Sequence, residues 1–192
     1  MKVINLFIPA LFSLFLLSGC YQAKPGDQAQ VDKQDIFLIS SLYQESLLSL
    51  RLAEEALTRS TYIETKNLAN NVKSSHATIK IDLESFAGRK GIDLPLDITA
   101  NQLNLWRELV RNKGVDFDKI FFEILINLNA SEHQTIEKIT TSAKDPDLIK
   151  TGRDLLSVIA SKKEMAHQVQ QLNNLRTKDS LTGPGSFDTL SK

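Results

Sequence analysis

The chain has 192 residues, 23 Lys+Arg against 23 Asp+Glu, 42% hydrophobic residues and one cysteine. A chain of this length favours one domain with a buried core plus short extensions. Its balanced charge offers nothing to a polyanion such as nucleic acid, and a lone cysteine excludes an intrachain disulfide framework and any multi-cysteine metal site.

The first element is a targeting segment. Lys2 supplies a short positive region, and Val3 to Leu17 is an apolar run broken only by Asn5, Pro9 and Ser13. That is the make-up of a signal peptide rather than of a membrane span. The run ends in Leu17-Ser18-Gly19-Cys20, which looks like the lipobox of bacterial lipoproteins. The resemblance implies cleavage after residue 19 and acylation of Cys20, by chains such as palmitate. Several acyl chains hold a protein firmly on a membrane surface, where one does so only marginally. Loss of residues 1–19 removes one basic side chain and no acid, so the mature chain carries a net charge of −1. Tyr21, rather than Asp, follows the cysteine, which resembles an outer-membrane sorting signal and implies the periplasmic face of that membrane.

Residues 20–33 are polar, with Pro25 and Gly26, and read as a lipidated tether; residues 176–192 are rich in Ser, Thr, Gly and Pro and read as a disordered tail. Between them, residues 34–175 carry helical periodicity with no alternating strand pattern. Long helices are expected at about 34–57, 61–87, 116–142 and 146–175, with a shorter one at 99–112. The breaks have physical causes: Gly88, Gly91 and Pro95 after the second long helix, Gly114 before the third, and Asp145-Pro146 as N-cap and first helical residue of the fourth. The expected fold is all-α, a four-helix bundle with the short helix in the crossover between the second and third long helices.

Three loop segments carry a family likeness. Lys90-Gly91-Ile92-Asp93-Leu94-Pro95, Gly114-Val115-Asp116-Phe117-Asp118-Lys119-Ile120-Phe121 and Asp145-Pro146-Asp147-Leu148-Ile149-Lys150 resemble landmarks of a ferritin-like family of bacterial envelope proteins, described as outer-membrane proteins or as a domain of unknown function. The resemblance covers roughly residues 35–172. It implies a ferritin-like bundle in the periplasm and no established activity. Family members often place Glu on the first long helix and His on the other three. The matching positions here are Ser46, His76, Asn129 and Lys162, so His76 alone keeps a ligand type.

Helix geometry tests the remaining chemistry. A di-iron carboxylate bundle draws a Glu from each of two helices and Glu-x-x-His from each of the other two, whereas this chain has a single Glu-x-x-His, Glu164 to His167. At about 100° per residue, that pair lies well away from the apolar face of Leu155, Val158, Ile159 and Val169, while Lys162 sits at the centre of that face. Glu132, between Leu128 and Ile136, is the natural partner for such a lysine, and His76, near the Leu68-Val72-Ile79-Leu83 stripe, can join them. His76, Glu132 and Lys162 are therefore the expected buried polar cluster, read chiefly as a network that fixes helix register. The alternative is a metal site for iron or another divalent ion, using His76 and Glu132 together with Glu45 or His133. His133 falls off the face and reads as a surface residue. The start of the third long helix, with Phe117, Phe121 and Phe122, is apolar almost all round and reads as a buried central helix. No glycine-rich phosphate loop or nucleophile elbow is present. The expected function is thus a non-enzymatic, membrane-anchored envelope lipoprotein working through a protein partner, with no cofactor.

Overall fold

A computed structural model describes residues 31–181; the side chains of many positions beyond Leu156 fall outside that description. The described residues form five helices and no strand: α1 (Lys33–Arg59), α2 (Ile63–Lys90), α3 (Ala100–Arg111), α4 (Gly114–Ser142) and α5 (Pro146–Leu181). The all-α expectation agrees with this architecture. Among the described residues no helix is long and apolar enough to cross a membrane. The expectations for residues 1–30, Cys20 included, lie outside the described residues.

The helix ends follow local chemistry. Asp32 caps α1, its carboxylate accepting the Gln34 N–H at 2.8 Å. The α2 helix runs through Gly88 and stops at Gly91, whose φ of 65° is left-handed. That turn lets the Ile92 N–H reach back to the Ala87 carbonyl at 2.9 Å, the closing bond of a glycine C-cap. Thr99 and Gln102 cap α3 reciprocally. Asp145 accepts the Asp147 N–H at 2.8 Å and precedes Pro146, as its sequence context predicts. The α5 helix continues to Leu181, past the expected boundary at 175. Residues 176–181 contain no Pro or Gly, and the first breaker is Gly183.

Neighbouring pairs are α1 with α2, α1 with α4, α2 with α5, and α4 with α5, while α3 rests on α1 and α4. The core shows the directions. One apolar cluster joins the C-terminal half of α1 (Leu48, Leu52) to the N-terminal halves of α2 (Leu68, Val72) and α4 (Phe117, Phe121, Leu125). The other joins the N-terminal half of α1 (Ile39, Leu42) to the C-terminal halves of α2 (Ile79, Leu83, Phe86) and α4 (Ile136, Ile139) and to the start of α5 (Leu148, Leu155). Hence α1 and α5 run one way, and α2 and α4 the other. Two parallel helices in succession need a connection the length of the bundle, which residues 91–113 with α3 provide. Close approach of α5 to α4 depends on Gly152, where a Cβ would lie 2.7 Å from Ile139 Cγ2.

Candidate functional site

A layer of polar side chains separates the two apolar clusters. It comprises Ser46 and Ser49 from α1, His76 from α2, and Asn129 and Glu132 from α4, all buried. Register explains the placement. Ser49 stands seven residues after Leu42 and three before Leu52, His76 between Val72 and Ile79, and Glu132 between Leu128 and Ile136. Each therefore occupies a slot in an apolar stripe at helical spacing.

His76 Nδ1 lies 3.5 Å from Glu132 Oε1, and the Ser49 hydroxyl donates to the same oxygen at 3.1 Å. One carboxylate thus meets side chains from two other helices. Ser46 Oγ and both amide atoms of Asn129 have no hydrogen-bond partner among the described residues. Both His76 and Glu132 are fully buried, so no solute touches the pair while the helices stay packed. Inside a medium of low polarity, such a pair ties helices together and penalises any register that separates its members.

His76 and Glu132 are thus brought together as the sequence suggests. The Lys162 side chain lies outside the described residues. His133 points elsewhere: it is half exposed, with Nδ1 3.6 Å from Glu137 Oε1 on its own helix. Glu164 is exposed and His167 only half-buried. The donors do not suit a di-iron centre, which needs bridging carboxylates from several helices. Among the described residues no group of three His, Cys, Asp or Glu side chains could hold a metal ion.

Glu45 borders the layer on α1. The Ser131 hydroxyl donates to its Oε1 at 2.5 Å. Burial pushes its carboxyl above the usual range, against the pull of the Ser131 and Thr135 hydroxyls and the charge of Lys138. Asp118 is similar: burial raises it, while the hydroxyls of Ser60 and Thr65 pull it down.

Two of the three loop landmarks meet, and all three serve the fold. Lys90 Nζ lies 2.7 Å from Asp145 and 3.2 Å from Asp147, so the end of α2 is pinned to the start of α5. Gly91 supplies the left-handed cap, and Phe117 and Asp118 are buried. Sequence reasoning missed Ser49 as a partner of Glu132, although its place in the Leu42–Leu52 stripe was a usable signal. It also missed Asp35, whose buried carboxylate accepts the Lys144 and Asp145 backbone N–H groups at 3.1 and 2.9 Å. That contact is more than 100 residues distant in sequence, and no local pattern announces it.

A family profile described as "Domain of unknown function (DUF4142)" matches residues 21–169. No curated protein and no solved structure matches the chain.

Proposed function

The chain belongs to the family described as a domain of unknown function, DUF4142, and from that premise we propose that it is a lipid-anchored accessory protein of the bacterial envelope, acting through a protein partner rather than by catalysis. The observation that carries this reading is Leu17-Ser18-Gly19-Cys20 at the end of a fifteen-residue apolar stretch, closely followed by a helical domain beginning at Lys33. Acylated at Cys20, the protein would sit on the periplasmic face of the outer membrane. Its tether of about a dozen residues could span no more than roughly 45 Å. Two parallel long helices joined by one crossover are the connectivity of ferritin-like bundles, and we assign the fold to that class. The sealed histidine-carboxylate pair supports a structural role for the interior.

Replacing Cys20 with Ser tests the anchor. Wild type should incorporate labelled palmitate and pellet with membranes, and Cys20→Ser should do neither. Identical partitioning of the two would sink the proposal. The meeting of His76 and Glu132 favours one rival, a degenerate metal-binding bundle. Elemental analysis of the full chain after reducing, metal-supplemented purification decides it: stoichiometric iron or another divalent metal that is lost in Glu132→Ala would replace the present reading.

A further inference from the structure

The crossover is held to the bundle more lightly than the long helices are held to one another. Of the twelve residues of α3, Leu109 alone is buried, while α4 buries twelve of its 29. Among the described residues, Ile98 and Leu109 are all that the crossover gives to the buried parts of the two apolar clusters. Leu103 and Trp106 pack partway against the first. An open groove of about 360 Å³ runs beside them, lined by Gln102, Leu105 and Glu108 on α3 and by Leu48, Ile124 and Leu128 on the bundle, so dispersion contacts are missing there. Among the described residues one hydrogen bond joins α3 to another helix, from the Arg59 guanidinium to the Val110 carbonyl at 2.8 Å. The caps of α3 are its own: Thr99 and Gln102 at the start, and the Asn112 side chain donating to the Glu108 carbonyl at the end.

We propose that α3 is a detachable strap: residues 99–112 undock and unwind as one cooperative unit while the four long helices stay folded, uncovering Leu48, Ile124 and Leu128. A helix of twelve residues is marginal in water on its own, so α3 depends on its thin docking. Its departure costs the long helices no cap and no buried hydrogen bond, because the Arg59–Val110 bond is exposed and water can take both groups. The anchors on either side stay. Upstream, Asp97 accepts from Arg51 at 2.6 Å and Ile98 is buried; downstream, Phe117 is buried in α4. Segments with few buried apolar contacts open at a lower free energy than the core does. The strap works with or without a lipid at Cys20.

The test is native-state amide hydrogen exchange of the full chain in detergent, read by mass spectrometry where exchange tracks the opening equilibrium. The α3 amides should be at least a hundredfold less protected than those of residues 42–52 in α1 and 121–136 in α4. Glu132→Ala weakens the bundle and touches nothing in α3. It should speed exchange in the core tenfold or more and leave α3 within twofold of wild type, because the strap opens with the His76–Glu132 pair intact. Leu109→Ala should speed exchange throughout α3 tenfold or more. Protection in α3 equal to that of the core, the same acceleration of both by Glu132→Ala, or a Leu109→Ala effect that is absent or confined to its own turn overturns the proposal. If Glu132→Ala does not fold or leaves the core unchanged, low urea on wild type decides: core exchange should climb with urea more steeply than α3 exchange, and parallel slopes overturn the proposal.

Discussion

Truncating Glu132 to Ala would leave the Ser49 hydroxyl and the His76 ring, both fully buried, without the oxygen that they share. Removing one member of a buried ionisable pair costs about 3–5 kcal/mol, whereas exchanging both members for apolar groups is often far milder. Urea denaturation should therefore show a loss near 3 kcal/mol for Glu132→Ala, and a loss for His76→Leu/Glu132→Leu that is smaller than the sum of the two single replacements. Strict additivity would show that the two side chains are not coupled. Glu45 makes the opposite prediction. Its folded-state pKa is raised by burial, so between the unfolded and folded values the native state binds more protons, and stability falls as pH rises through that window. The neutral isostere Glu45→Gln should melt higher than wild type at pH 7, and the gap should close as pH falls below about 4.5, the ordinary glutamate range. A gap that is constant with pH would contradict a burial-raised carboxyl. The pairing of His76 with Glu132 was legible because both positions keep helical register with apolar neighbours. Ser49 was less so, because a serine in a stripe carries no charge to draw attention. The burial of Glu45 depends on the depth to which α1 and α4 pack, which periodicity alone does not give.

Capping and cornering residues decide how the helices join. Gly91 and Asp145-Pro146 were readable because a left-handed glycine and an N-cap aspartate act on their own neighbours. Asp35 acts at long range. Its carboxylate gathers backbone N–H groups from the turn between α4 and α5, and nearby Asp32 pairs with Lys144 Nζ at 2.6 Å. A hydrogen bond to a charged group contributes about 1.5–3 kcal/mol. Asp35→Ala should lower the unfolding free energy by about 2–3 kcal/mol, with helix content at room temperature unchanged by circular dichroism; an unaltered denaturation midpoint would mean that the turn is held by other contacts. The short α3 shows where pattern runs out in another way. Leu103, Trp106, Leu109 and Val110 do mark one side of it, yet only Leu109 is buried. An amphipathic stripe announces a helix that packs, not how closely it does so.

The bundle as a whole gathers its apolar interior into two clusters with a polar layer between them. Aliphatic and aromatic clusters occupy the ends and the His76–Glu132 pair the middle; helix order and that pairing were legible from register, whereas the places of Ser49, Glu45 and Asp35 needed three dimensions. The direction of α1 has one more consequence, which concerns orientation. Its first turn, with the Asp35 corner, lies at the end of the molecule formed by Leu38, Ile39, Phe86 and Leu148. The opposite cluster runs out to Ala56, Leu68 and Phe117, beside the turn between α1 and α2. On the proposed anchor at Cys20, the chain would therefore enter the bundle at one pole and leave the turn between α1 and α2 at the other. In reconstituted liposomes, a fluorophore at exposed Ile63, where α2 begins, should accordingly be quenched by lipid-borne nitroxide less than one at exposed Phe37, near the start of α1.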